Sequence, residues 1–218
     1  MKIEKGFKIV FAGDSITDAG RTGQFYPLGN GYVRFFAEIL LASRPELSVQ
    51  VFNAGVSGNT IRDLKDRWDD DVLSLNPDWL VVLIGINDLN GYLGGIKELA
   101  PENYEKTYDE LLTMTRQRVS GITLMTPFYI SRGSYPGTRR DAVMRTLPSY
   151  AEAVRRLSAK YSAELIDLQK EFERLVQIRE PTSFAVEPVH PNEVGHLFIA
   201  MKLLSSIQTF SDSPRLFP

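Results

Sequence analysis

Residues 79–88 read Trp79-Leu80-Val81-Val82-Leu83-Ile84-Gly85-Ile86-Asn87-Asp88. The apolar run is continuous rather than alternating, and it includes two valines and an isoleucine. Such a run suits a strand covered on both faces, the setting of a parallel sheet between helices. Four further runs of the same kind occupy 8–12, 49–53, 122–126 and 164–167. Helical patterns fall between and after them, at about 31–43, 60–75, 101–118, 139–161 and 192–208, with a sixth, short one at 168–178. The 192–208 pattern opens at Pro191-Asn192, a proline near the first turn. Alternating strands and helices imply right-handed crossovers and a parallel sheet. The expected fold is α/β, a three-layer α/β/α sandwich on five parallel strands. Two irregular loops, 22–30 and 128–138, are long enough to shape a site. The residues after Phe210, Ser-Asp-Ser-Pro, read as a turn-like, frayed tail.

The composition excludes several classes. Twenty-five basic against 27 acidic side chains give a net charge of −2, without the basic excess of a phosphate-neutralising nucleic-acid binder. A hydrophobic content of 43% is too high for a disordered chain. At 218 residues, roughly 70% of the unfolded surface can be buried, so a sizeable core is available. No low-complexity linker divides the sequence, and residues 1–218 are read as one domain. Cysteine is absent, which removes disulfides, thiolate metal sites and thiol nucleophiles together. The early apolar run, 9–12, is too short for a signal-peptide core, and no stretch reaches the roughly 18 apolar residues of a membrane span. The expectation is a cytoplasmic protein without membrane or nucleic-acid partners.

In open parallel sheets, ligands bind at the carboxyl ends of the strands. Three polar, glycine-marked segments fall there: Gly13-Asp14-Ser15-Ile16-Thr17-Asp18, Asn53-Ala54-Gly55-Val56-Ser57-Gly58-Asn59-Thr60 and Gly85-Ile86-Asn87-Asp88. A serine nucleophile needs a base, usually histidine. The chain has two histidines, His190 and His196. His190 lies in Glu187-Pro188-Val189-His190-Pro191, where a carboxylate three residues earlier can accept the imidazole Nδ1–H. Ser15, Glu187 and His190 are therefore candidates for nucleophile, acid and base. The N–H groups of Ser15 and Gly58 and the Asn87 amide are candidate oxyanion donors, and losing one such donor typically costs about 100- to 1000-fold in rate. Glycine at 58 is expected to let the backbone approach a substrate without an intervening Cβ. Asp14 is expected to support the turn, and His196, inside the last helix, to be structural.

These segments resemble the four blocks of SGNH hydrolases, also called GDSL esterases: Gly13-Asp14-Ser15, Gly58 within Gly55-Val56-Ser57-Gly58-Asn59-Thr60, Gly85-Ile86-Asn87-Asp88, and His190-Pro191. The resemblance spans residue 8 to about 205. With Trp68 and its acidic neighbours and Met125-Thr126-Pro127-Phe128-Tyr129-Ile130, it is closest to the branch containing bacterial acetylxylan esterases. It implies a flavodoxin-like sheet, the SGNH hydrolase fold, and metal- and cofactor-free hydrolysis of small acyl esters, often acetyl groups on sugars. It also implies functional roles for Ser15, Gly58, Asn87 and His190, and leaves a homo-oligomer open. One position departs from it, because Glu187 stands where the family has aspartate. Glutamate is one methylene longer. Either the loop shifts so that its carboxylate reaches the ring, or a backbone carbonyl orients His190 instead, or activity is weakened.

Other patterns read as structural. His190 and His196 lack the spacing and third ligand of a zinc site. Asp69, Asp70 and Asp71 read as the solvated face of the helix carrying Trp68. Residues 91–95 are glycine-rich but lack the Gly-Lys-Ser/Thr of a phosphate loop. Tyr26, Tyr92, Phe128, Tyr129 and Tyr135 fall in or near the rim loops, where rings can stack on sugars or simply pack. The competing functions are a thioesterase or lysophospholipase of the same family, with a long apolar groove, and a carbohydrate-binding protein with impaired catalysis.

Overall fold

The computed structural model describes residues 1–207. Its strands are β1 Lys8–Gly13, β2 Gln50–Gly55, β3 Trp79–Leu83, β4 Gly121–Met125 and β5 Glu164–Ile166. The α-helices are α1 Ser15–Asp18, α2 Tyr32–Ser43, α3 Ile61–Asp66, α4 Trp68–Asp71, α5 Ile86–Leu93, α6 Pro101–Thr115, α7 Arg139–Tyr161, α8 Leu168–Ile178 and α9 Glu193–Ser205. The sheet order is β2-β1-β3-β4-β5 and every pairing is parallel. The expected three-layer sandwich is therefore present.

The two-residue period of each strand divides its side chains between two cores. Ile9, Phe11, Trp79, Val81 and Leu83 join one, with Phe36 of α2, Phe172 of α8 and Ile199 of α9. Val10, Ala12, Leu80 and Val82 join the other, with Leu64 of α3, Leu111 of α6 and Leu147 of α7. Each fully buried large aliphatic or aromatic side chain contributes about 1.5–3 kcal/mol. This is why the runs read from the sequence had to be apolar throughout.

The connection order places β1 between β2 and β3, so the chain reverses direction across the sheet beside β1. That reversal opens a crevice at the strand ends. Gly13 pairs with both Gly55 and Leu83, so β1, β2 and β3 end level. Helix α1 folds tightly back there. A Cβ on Gly13 would lie 2.3 Å from both Leu83 O and Thr17 Oγ1, which leaves room only for glycine.

Strand boundaries fall within two residues of expectation. Two helical expectations need correction. The stretch 60–75 is not one helix: α3 stops at Asp66, and Arg67 adopts φ −114°, ψ 11° before α4 begins. The reason is tertiary, because the Arg67 side chain turns toward the strand ends and bonds there. Helix α5 was also unexpected, since Asn90, Gly91, Gly94 and Gly95 favour turns. Burial of Ile86, Asp88 and Leu89 overrides that preference. Residue 208 of the last helical pattern and the Ser-Asp-Ser-Pro tail lie outside the described residues.

Helices α2 and α9 are joined at the site's edge by His196. Its Nδ1 accepts the N–H of Tyr32 at 3.2 Å, and the two rings stack with centroids 6.3 Å apart. The N-cap of α2, Gly31, offers no side chain, so the imidazole satisfies an otherwise open helix donor. The lone pair must stay free of a proton. Burial first, and the neighbouring His190 second, push the His196 pKa down from 6.5 to about 4. The unfolded chain therefore takes up this proton first, and stability drops by about 1.4 kcal/mol per pH unit as pH falls from the unfolded value toward the folded one. In urea titrations, the unfolding free energy of the native protein should fall relative to His196→Gln between pH 6.5 and 4. A constant difference would mean that the buried ring does not resist protonation.

Candidate active site

Strand β1 delivers the first component. After Gly13, the Asp14 side chain caps α1 by accepting Ile16 N–H at 3.0 Å, and Ser15 is the first residue of that turn. The Ser15 Oγ lies 2.8 Å from His190 Nε2. On the other side of the ring, Nδ1 is bonded to Glu187 Oε1. Of the arrangements open for Glu187, the structure therefore has the carboxylate on the imidazole. The same carboxylate accepts His190 N–H through Oε1 and Val189 N–H through Oε2, each at 3.0 Å. The extra methylene is accommodated in a closed loop. Val186 N–H donates to His190 O at 3.0 Å, Ala185 bridges Pro191, and Ile130 N–H donates to Pro188 O at 2.7 Å. The His190 and Glu187 side chains are 51% and 47% exposed, so this pair works at the solvent boundary.

Strands β2 and β3 deliver the other components. Gly58 has φ +83°, and a Cβ there would meet no atom within 4 Å. Its positive φ favours glycine, and the open space where a Cβ would stand leaves the backbone accessible from the crevice. The loop around it is tethered on both sides. Ser57 donates through N–H and Oγ to Asp18 Oδ2, at 3.1 and 2.7 Å. Asn59 accepts Arg67 Nε–H on its side-chain oxygen at 2.6 Å, and Asn87 Nδ2–H on its carbonyl at 3.0 Å. Asn87 sits in the first turn of α5, so Gly58 and Asn87 meet through the intervening Asn59.

Two buried carboxyls lie behind this rim. Asp14 is raised to about 7, foremost by burial, against the lowering effects of the Ile16 N–H and of His190. Asp88 is also raised to about 7, again by burial. Its two oxygens share the Ile61 N–H at 3.1 Å and so tie the start of α3 to α5.

Not every expected rim residue is on the rim. Tyr26 and Tyr135 are each 79% exposed, and Tyr92 is 38% exposed. Phe128 is fully buried, packed on Phe172 with ring centroids 4.8 Å apart, and Tyr129 packs against both cores. Of the two roles open to a rim-loop ring, Phe128 therefore takes packing. Residues 91–95 form the end of α5 and its exit turn. The tethers Asp18, Asn59, Asp88 and Arg67 were missed as site-forming residues. Asp18 and Asp88 lie inside the quoted blocks. Arg67, three residues after the buried Leu64 and next to Trp68, had only its place on the inner flank of an apolar helix face as a signal.

A hydroxyl, an imidazole and a carboxylate in line at the carboxyl edge of a parallel α/β/α sheet are the arrangement of a serine-type hydrolase. The chain belongs to the GDSL-like lipase/acylhydrolase family, whose model matches residues 11–197, and is thereby a carboxylic ester hydrolase. It is 40% identical over 216 residues to an acetylxylan esterase of Geobacillus stearothermophilus, an alignment covering 95% of this chain and 96% of that protein. The crystal structure of Axe2, an acetylxylan esterase from the same organism, superimposes with a TM-score of 0.86 at 40% identity, covering 95% of this chain and 97% of that one. LAE5, an α/β hydrolase from the metagenome of Lake Arreo, Spain, gives 0.83 at 38% identity over 93% of this chain and 95% of its own. Catalytic mutants of Axe2 replace a serine, an aspartate and a histidine, the aspartate three residues before the histidine. Glu187 and His190 have the same separation here.

Because Gly58 has φ +83° and no protein atom stands within 4 Å of a Cβ there, Gly58→Ala should lower the unfolding free energy by about 1–2 kcal/mol without a clash inside the protein. Urea denaturation measures this. An unchanged midpoint would mean that the loop relaxes to negative φ without cost.

Proposed function

We propose that this protein is a serine esterase that removes short acyl groups, foremost acetyl, from carbohydrates such as xylo-oligosaccharides. The observation that carries the reading is the 2.8 Å approach of Ser15 Oγ to His190 Nε2, with Glu187 on the opposite nitrogen. Ser15 is the nucleophile. As its oxygen attacks the ester carbonyl, His190 Nε2 takes the hydroxyl proton, and Glu187 holds Nδ1–H and stabilises the imidazolium. The carbonyl oxygen becomes an oxyanion, which receives the N–H groups of Ser15 and Gly58 and the Asn87 Nδ2–H not used by Asn59. Collapse breaks the bond to the alcohol, which leaves with the proton from His190. Water then gives a proton to the same nitrogen, attacks the acyl-serine, and releases the acid while Ser15 regains its hydrogen. Asp14 supports the turn on which Ser15 stands.

The likeness to acetylxylan esterase supports a small acyl group and a sugar alcohol. The exposed rings of Tyr26 and Tyr135 support stacking on sugar faces. We place this action in the cytoplasm, a reducing compartment that a chain without cysteine fits. The reading takes residues 1–218 as one catalytic domain and is compatible with a homo-oligomer.

Ser15→Ala should abolish turnover of p-nitrophenyl acetate and labelling by a fluorophosphonate probe while leaving the circular dichroism spectrum unchanged. Retained turnover would end the nucleophile assignment. Acetyl esters should also be hydrolysed faster than octanoyl esters by the native protein. The reverse order would favour the thioesterase or lysophospholipase reading, and sugar binding without any turnover would favour an impaired enzyme. Glu187→Gln should reduce kcat, but by less than the roughly 10⁴-fold found where a buried triad carboxylate is neutralised, because here water reaches the pair.

A further inference from the structure

Arg67 is the residue at which the expected long helix breaks, and its side chain explains the break. The Arg67 side chain is only 16% exposed. Its Nη2 donates to Gly13 O at 3.1 Å, the last carbonyl of β1 before Asp14 and Ser15. Its Nη1 donates to Ala54 O near the end of β2 at 2.7 Å, and to Asp71 Oδ2 at 2.9 Å. Its Nε donates to Asn59 Oδ1 at 2.6 Å. One planar cation thus binds two strand ends and the side chain of the residue after Gly58. The main-chain carbonyl of that same Asn59 accepts one N–H of the Asn87 amide.

We propose that Arg67 is a positioning residue for the oxyanion hole. Resting on the esterase reading above, it acts through Asn59, whose carbonyl fixes the plane of the Asn87 amide. An amide nitrogen carries two hydrogens in one plane, so anchoring one of them to Asn59 O sets the direction of the other. The tether on Gly13 O holds the nucleophile's strand end to the same frame. The other side-chain tether of the loop, Asp18 to Ser57, lies on the far side of Gly58; on Asn59 itself the N–H donates to Val56 O at 3.2 Å, and the Arg67 bond to the side-chain oxygen adds the link to the strand ends. Lysine cannot replace this function, because a single ammonium centre cannot reach four acceptors spread around a planar fork. The ion pair with Asp71 holds the fork in place.

The test is a double-mutant cycle on p-nitrophenyl acetate, with Arg67→Lys and Asn87→Ala made singly and together. Displacing a donor by a fraction of an ångström in a preorganised site costs about 10- to 100-fold, so Arg67→Lys should lower kcat by that factor with KM within about twofold. In the Asn87→Ala background, where the aimed amide is gone, the same substitution should lower kcat by less than about threefold. A role confined to holding the strands together would lower the melting temperature and give equal factors in both backgrounds, and would overturn the proposal. An Asn87→Ala variant with unchanged kcat would also overturn it. Should Arg67→Lys fail to fold, Asn59→Ala removes the side-chain link but keeps the carbonyl. It should lower kcat severalfold alone and not in combination with Asn87→Ala, and unchanged kcat there counts against the proposal. Ser15→Ala separates the two levels: turnover surviving in it removes the esterase reading, whereas equal factors with Ser15→Ala inactive remove only the role of Arg67.

Discussion

Parallel pairing is the constraint on which the site depends. Because all five strands run the same way, every strand exit reaches one edge of the sheet, and the register makes three of those exits level at Gly13, Gly55 and Leu83. Residues far apart in sequence then need only short excursions to meet. Ser15 and His190 are 175 positions apart, yet both are within a few residues of elements anchored in the same core, β1 and α9. Two fully covered faces make this register costly to change, since a one-residue slip would exchange the two cores' side chains.

The edge carries its own bracing. Backbone carbonyls at the strand ends have a second lone pair to offer even where the main chain uses one, as where Gly13 O accepts Val56 N–H at 3.1 Å. Here Arg21 donates to Gly55 O, Arg67 to Gly13 O and Ala54 O, and Tyr104 to Ile84 O. Side chains that close the sheet edge therefore also determine where the loops beyond it go. Two buried carboxyls, Asp14 and Asp88, hold the first turns of α1 and α3 in the same region. Burying them raises both toward neutrality, so their hydrogen bonds, rather than charge pairing, justify their presence.

The sheet was legible because burial on both faces imposes continuous apolar runs, and residues 79–84 could have few other meanings. Helix α7 was legible to the residue, 139–161, since Thr138 caps it and Ser162 ends it in a left-handed conformation. The segment 60–75 misled because its buried residues, Ile61, Leu64, Trp68 and Val72, keep a perfect helical rhythm across a break made by distant carbonyls. Local pattern carries no trace of partners 54 positions away, as Gly13 is from Arg67. Helix α5 was hidden for the opposite reason: its glycines argue for a turn, and only burial of Asp88 and Leu89 overrules them. In the site, the meeting of Ser15, Glu187 and His190 was legible because a serine just past the glycine of a strand exit, and a glutamate and a histidine three apart beside prolines in the loop before the last helix, have a recognisable chemistry. The tethers were not, since Asp18, Asn59 and Arg67 are ordinary polar residues until the loop they hold is seen. For Phe128 the sequence left stacking and packing open, since a loop position alone does not say which way a ring points; the ring turns inward onto α8.

The loop between Ala185 and Pro191 is closed on itself, with Glu187 gripping both the ring and the two amides that follow it. Imidazole and carboxylate therefore form a cassette whose internal geometry is written within four consecutive residues. Breathing of the surrounding surface would translate this cassette as a whole and leave the ring's orientation intact. The assembly is reduced to one adjustable coordinate, the gap to the serine oxygen, and evolution could alter the acid's length without rebuilding the sheet.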